Sequence, residues 1–128
     1  MIQADGDSSA DFTVVSDDGF AMVGVARSGF QSTAAYRSVD GWMYNLEGGG
    51  SMGNAHYRHA NLKPDFATCG GRPINQGETI TLRLCRGSLI VYHQGVELGV
   101  MCRGLAGDFV WAADLTTGNS VRIARGTQ

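Results

Sequence analysis

Residues 78–84 alternate, with Ile80, Leu82 and Leu84 on one side and Thr79, Thr81 and Arg83 on the other. A period of two belongs to a strand with one face against a core and the other in water. Arg86-Gly87 then reads as a hairpin turn, Leu89–Tyr92 as the return strand, His93-Gln94-Gly95 as a second turn and Val96–Met101 as a third strand. The same grammar runs along the rest of the chain. Phe12–Val15, Phe20–Ala26, Gly41–Leu46, Phe109–Leu115 and Ser120–Ile123 are short β-type runs. Asp17-Asp18-Gly19, Gly48-Gly49-Gly50 and Thr117-Gly118-Asn119 punctuate them, because Gly, Asp and Asn tolerate positive φ.

About eight to ten short strands, turn signals every 8–12 residues and no helical period predict an all-β fold of antiparallel strands, a sandwich or barrel. Gly accounts for 19 of 128 residues, without period, which fits turns and excludes a collagen-like chain. Only 2 prolines occur, so the chain is not a disordered linker. The length suits one domain with a real core. The run Phe20–Ala26 is mostly apolar and is expected to be buried on both faces. Residues 1–10 are small and acidic without periodicity, so the reading is a flexible acidic leader over 1–10 and a domain over 11–125. Residues 51–76 are irregular and polar, with one short strand expected near His56-Tyr57-Arg58.

Net charge is −2, which argues against a dedicated nucleic-acid module. The charge is uneven. Asp5, Asp7, Asp11, Asp17 and Asp18 make the first 26 residues acidic, while residues 27–72 carry a mild basic excess from Arg27, Arg37, Arg58, Lys63 and Arg72. The three cysteines, Cys69, Cys85 and Cys102, show no paired spacing, which points to a reducing compartment, cytoplasmic or nuclear, unless a longer parent protein carries another address. No apolar run approaches the ~18 residues of a membrane span, so no membrane partner is expected.

Residues 77–104, GETITLRLCRGSLIVYHQGVELGVMCRG, resemble the most distinctive segment of SPRY domains. The family pattern there is Gly-Asp-x-Ile/Val, an apolar strand, Asp-x-x-x-Gly-x-Leu-x-Phe, Asn-Gly and Leu-Gly-Val-Ala-Phe. Gly77, Ile80, Gly87, Leu89, Gly95, Leu98, Gly99, Val100, Gly104 and Leu105 hold matching places. Upstream, Val23-Gly24-Val25-Ala26 is similar to the family's Val-Gly-x-Ala strand, and Trp42-Met43-Tyr44-Asn45-Leu46 to its Trp-Gly-Trp/Tyr-Asp-Leu strand. Phe109-Val110-Trp111-Ala112-Ala113 sits where the family has Leu-Tyr-Pro-Ala-Val. The chain departs from the pattern at Glu78, Cys85, Gln94, Cys102 and Trp111, and the PRY extension of many immune members is not evident.

The resemblance implies a two-sheet antiparallel β-sandwich that binds a peptide or protein surface through loops at one rim, without catalysis and without a cofactor. Carried over by matching strands, the rim loops are Arg27–Asp40 and Leu115–Asn119, with Phe30, Gln31, Tyr36, Arg37, Asp40, Thr116, Thr117 and Asn119 as candidate contacts. The SOCS-box branch has a Tyr near Gln31 and a Val-Trp pair at Thr116 and Thr117, so the location carries over and the peptide specificity does not. Phe30 and Tyr36 stand in a polar loop, and exposed aromatics beside Arg are the usual anchors of interfaces. Two other readings stay open: an RNA-associated scaffold, because such domains also occur in RNA-processing proteins, and a glycan-binding sandwich of lectin type. The oligomeric state is not legible.

Chemistry-bearing patterns are weak. Gly49-Gly50-Ser51-Met52-Gly53 matches G-x-S-x-G, but that nucleophile elbow needs an α/β sheet. His56, His59 and Cys69 lack the spacing of a metal site, so no metal is expected. Glu47, Glu78 and Glu97 border turns in different hairpins and form no carboxylate pair. Trp42 and Trp111 read as core aromatics and Cys85 and Cys102 as small buried groups.

Overall fold

A computed structural model of the chain describes residues 2–17, 21–29, 41–45, 76–115 and 119–125. They form nine strands: β1 (Ile2–Gln3), β2 (Asp7–Asp17), β3 (Ala21–Arg27), β4 (Gly41–Asn45), β5 (Thr79–Cys85), β6 (Ser88–His93), β7 (Val96–Cys102), β8 (Asp108–Leu115) and β9 (Asn119–Arg125). Two antiparallel sheets result, a four-stranded one in the order β1-β8-β3-β4 and a five-stranded one in the order β7-β6-β5-β2-β9. Their inner faces share one core, to which Phe12, Ile80, Leu82, Leu84, Leu89 and Val91 come from one sheet and Val23, Val25, Trp42, Tyr44 and Phe109 from the other. The chain is thus the two-layer sandwich that the strand pattern predicts. Among the described residues no helix is long and apolar enough to cross a membrane.

In the β5–β6–β7 meander, β5 and β6 follow the alternation closely, while β7 grades from exposed at Val96 to buried at Cys102. Ile80, Leu82, Leu84, Leu89 and Val91 are fully buried, and their neighbours are half-exposed. Two-residue turns join these strands. Arg86 and Gly87 have φ of 50° and 82°, Gln94 and Gly95 of 52° and 83°. Positive φ at both central residues is the turn that matches the right-handed twist of the flanking strands.

The four-stranded sheet is built differently. Met22–Ala26 are buried in succession, so β3 is covered on both faces as its apolar run predicts. Gly24 lies between Met43 of β4 and Ala112 of β8. A Cβ there would stand 1.9 Å from the Trp42 carbonyl oxygen and 2.8 Å from the Met43 Cα, a space that only glycine leaves open.

The first ten residues depart from expectation. Rather than a flexible leader, Ile2–Gln3 pair with Phe109 and Asp108, and Asp7–Ala10 pair with Leu82–Cys85. Small side chains hide the period here. Ala10 continues inward the series of Phe12 and Val14, and Ala4 is buried at the turn between β1 and β2. The outward positions Asp7, Ser9, Asp11 and Thr13 carry the polar half of the alternation.

A rim built by four chain segments

β3 and β8 run antiparallel, with Arg27 opposite Phe109 at one end and Ala21 opposite Leu115 at the other. Six residues of strand separate these ends by about 20 Å, at ~3.4 Å per residue. The segment after Arg27 therefore leaves from one end of the ladder and the segment after Leu115 from the opposite end. These are the anchors of the two expected rim loops, and the register does not bring them together. Phe30, Gln31, Tyr36, Arg37, Asp40, Thr116 and Thr117 lie outside the described residues. Asn119 opens β9 with its backbone paired to Asp17, at the Leu115 end. The expected strand at 56–58 and Ser51, His56, His59 and Cys69 also lie outside the described residues.

Four segments meet at the Arg27 end: the β1–β2 turn, the β5–β6 turn, the stretch Arg103–Gly107 before β8, and Arg27–Gly29. Backbone hydrogen bonds tie them together. The Ala4 N–H donates to the Gly107 carbonyl at 2.9 Å, Gly87 N–H to Ala4 at 2.7 Å, Arg86 N–H to Gly6 at 3.0 Å, Leu105 N–H to Gly87 at 3.0 Å and Ser28 N–H to Asp108 at 2.9 Å. Each bond joins segments remote in sequence, so these turns hold one another in place. Gly87 is required on two grounds: its φ is 82°, and a Cβ would meet the Leu105 carbonyl oxygen at 2.9 Å.

Arg27 is the rim's side-chain anchor. Its guanidinium lies 5.2 Å from the Trp42 ring centroid and 5.4 Å from that of Phe109, and these rings meet edge to face at 5.5 Å. Nη1 donates to the Ala106 carbonyl at 2.9 Å, which fixes the stretch before β8. An exposed cation is thus immobilised on buried aromatics of the four-stranded sheet.

The tied segments enclose an open concavity of about 640 Å³, lined by Gln3, Asp5, Arg86, Gly87, Leu105, Ala106, Gly107 and Asp108. Gly87 and Leu105 are buried within it, while Asp5, Arg86 and Asp108 are exposed and carry both signs of charge around it. A buried apolar floor with charges at the margin suits contact with a polar chain better than covalent chemistry. Among the described residues no group of three His, Cys, Asp or Glu side chains could hold a metal ion. Sequence reasoning reached Arg27 but missed this concavity, because its lining comes from distant stretches and includes two residues of the expected leader. The spacing of Gly87, Gly104 and Gly107 was the available signal.

At the opposite end, side chains brace the β6–β7 turn. His93, only 8% exposed, places Nε2 3.1 Å from Glu78 Oε1. The Thr79 N–H donates to Gln94 Oε1 at 2.7 Å. Glu78 and Gln94, two departures from the SPRY pattern, are therefore both used at the β6–β7 turn. On the outer face of the five-stranded sheet, Arg83 holds Asp7 with two hydrogen bonds of 2.8 and 2.5 Å. The Arg83 guanidinium keeps the Asp7 carboxyl below the ordinary carboxylate range, and Asp7 in turn raises Arg83. The Thr81 hydroxyl donates to Asp11 at 2.6 Å beside them.

No family model matches the chain, and no curated protein matches it. Among solved structures, the SPRY domain of human HERC1 is similar over 93% of this chain and 74% of that one, with a TM-score of 0.67 and 18% sequence identity. Likeness across nearly the whole chain at so low an identity establishes shared architecture: the sandwich of β1–β9 has a SPRY-like fold.

Proposed function

We propose that this chain is a non-catalytic interaction module that takes a peptide or protein surface on loops at the Arg27 end of the sandwich. The observation that carries the reading is the mutual tying of four chain segments around an open concavity. A surface whose turns are already ordered loses little conformational freedom on binding. The SPRY-like fold supports the reading at the level of architecture, since rigid sandwiches commonly carry recognition in loops while function resides in the loop residues themselves. The proposed contacts are Arg86, Asp5 and Asp108 around the concavity. From the adjoining segment 27–40 they are Phe30, Gln31, Tyr36, Arg37 and Asp40. Thr116, Thr117 and Asn119 follow an anchor at the other end and are assigned no part in this surface.

The test is an immobilised array of random dodecapeptides probed with the folded wild-type domain, an Arg86→Glu variant and a Tyr36→Ala, Arg37→Ala double variant. Peptides retained by wild type and lost by at least tenfold in either variant support the reading. Retention unchanged in both moves the binding face elsewhere. Salt separates the RNA alternative: phosphate contacts weaken by orders of magnitude between ~50 and ~200 mM salt, whereas docking on aromatics and fixed backbone weakens little. Capture of single-stranded RNA with that steep dependence, without peptide binding, would replace this proposal.

A further inference from the structure

The concavity at the Arg27 end is completed by a piece of chain that the rest of the sandwich holds lightly. Residues 2–6 run along the edge of β8 and turn into β2. Gln3 and Asp5 line the concavity. Ala4 and Gly6 bond to its walls: the Ala4 N–H donates to the Gly107 carbonyl, and the Ala4 and Gly6 carbonyls accept from the Gly87 and Arg86 N–H groups. Arg86, Gly87 and Gly107 are themselves lining residues. The same short segment therefore supplies part of the site and ties down most of the remainder.

The hold on this segment is short. Its ladder with β8 is Ile2 opposite Phe109 and Gln3 opposite Asp108 and nothing more. Ala4 is buried, Ile2 packs on the core while half-buried, and Gln3, Asp5 and Gly6 are exposed. One methyl and part of one branched side chain bury little apolar surface, so little opposes lifting. From Asp7 onward the grip changes. Asp7–Thr13 pair in unbroken register with Thr79–Cys85, and Arg83 clamps Asp7 with two hydrogen bonds. Phe12 and Val14 then anchor the strand in the core. The boundary between lightly and firmly held chain falls between Gly6 and Asp7.

We propose that residues 2–6 are a strap that lifts as a unit while β2–β9 stay folded, and that its docking regulates the interaction site. The regulatory half rests on the reading of the concavity given above. With the strap docked, Gln3 and Asp5 are in place, Arg86 and Gly87 are tied, and the surface is ordered before a ligand arrives. With the strap lifted, the concavity loses those two lining residues, and the β5–β6 turn and the Gly107 carbonyl lose their partners. A ligand that touches the strap has affinity for the docked state alone, so binding and docking favour each other by the same factor. Displacing the strap switches the site off without unfolding the domain.

Amide hydrogen exchange of the 128-residue chain, followed by NMR, tests the strap without any ligand. One opening breaks the bonds of the Ala4, Arg86 and Gly87 N–H groups together. These three are expected to share one opening constant, at least ~30-fold larger than that of Leu82 and Leu84 on the central strand β5. Ala4→Asp sets a charge at a position 1% exposed, which lifting returns to water. Protection at residues 4, 86 and 87 is expected to be lost in this variant while Leu82 and Leu84 keep theirs. A dodecapeptide retained by the wild-type domain, supplied at ~10 times its Kd, is expected to slow exchange at the three amides about tenfold and to bind Ala4→Asp at least ~10-fold more weakly. Three amides that open only with Leu82 and Leu84, three unrelated rates, or loss of all protection in Ala4→Asp overturns the strap and leaves the interaction reading standing. Peptide binding that neither slows the opening nor weakens in Ala4→Asp overturns the regulatory role. Failure of any peptide to be retained by wild type removes the interaction reading and the regulatory role with it, while the exchange rates still decide the strap.

Discussion

The two sheets achieve the same burial by different means. In the five-stranded sheet one face is core and the other is water, and β5 shows the alternation most plainly: Ile80, Leu82 and Leu84 inward, Thr79, Thr81 and Arg83 outward. Its outer face is held by exposed polar contacts such as Arg83–Asp7, which contribute little each. In the four-stranded sheet β3 is buried on both faces, and fit replaces alternation as the organising rule. Gly24 admits β4 to close range, and Trp42, Phe109 and Arg27 stack at its end. A sheet defined by pattern tolerates substitution on its wet face, whereas close approach leaves β3 little tolerance on either face.

That contrast can be broken most directly at Gly24. Gly24→Val forces branched carbon into the Trp42 backbone and is expected to cost more than ~4 kcal/mol, leaving no cooperative thermal transition. A valine variant melting within a few degrees of wild type would show that β3 and β4 can separate freely. Next in size is Phe109→Ala, which removes a fully buried ring from the inter-sheet core and is expected to cost ~3–5 kcal/mol in urea unfolding. Arg27→Met keeps the apolar stem but deletes the ring stacking and the bond to Ala106. It is expected to cost ~1–2 kcal/mol and to raise amide hydrogen exchange at Ala106 and Gly107.

The smallest effect belongs to the wet face. Asp7→Asn is expected to leave the melting temperature at neutral pH almost unchanged, since the pair is exposed. Its pH signature has a definite sign. Arg83 lowers the Asp7 pKa in the folded state, so the pair's contribution is present above the ordinary value of 3.8 and is lost as pH falls through the lower folded value. Wild type and Asp7→Asn should therefore converge in acid melts below that value. Divergence there would mean the pair is not the source of the difference.

What the sequence revealed follows the same division. Alternation made β5 legible to within about one residue, and the turns at Arg86-Gly87 and His93-Gln94-Gly95 then placed β6 and β7. The apolar run of β3 announced burial on both faces, yet nothing in Val23-Gly24-Val25 says that the glycine exists for the Trp42 carbonyl. β1 and the start of β2 were illegible because Ala4 and Ala10 bury too little surface to print a period, and Ser8 and Ser9 read as loop. The rim was half legible. Arg27 stood at the start of an expected loop, but the concavity depends on Gln3, Asp5, Arg86 and Leu105 being brought to one place by backbone bonds between segments remote in sequence.

The pairing of β2 has a consequence in time. Asp7–Asp17 is flanked by β5, about 70 residues later, and by β9, which ends at Arg125. Within the sandwich, an early strand thus belongs beside a late one. At ~5–20 residues per second the amino-terminal segment waits on the order of ten seconds for β9 to be made. Meanwhile β5–β6–β7 can close as consecutive hairpins, and the five-stranded sheet is completed when β9 joins β2.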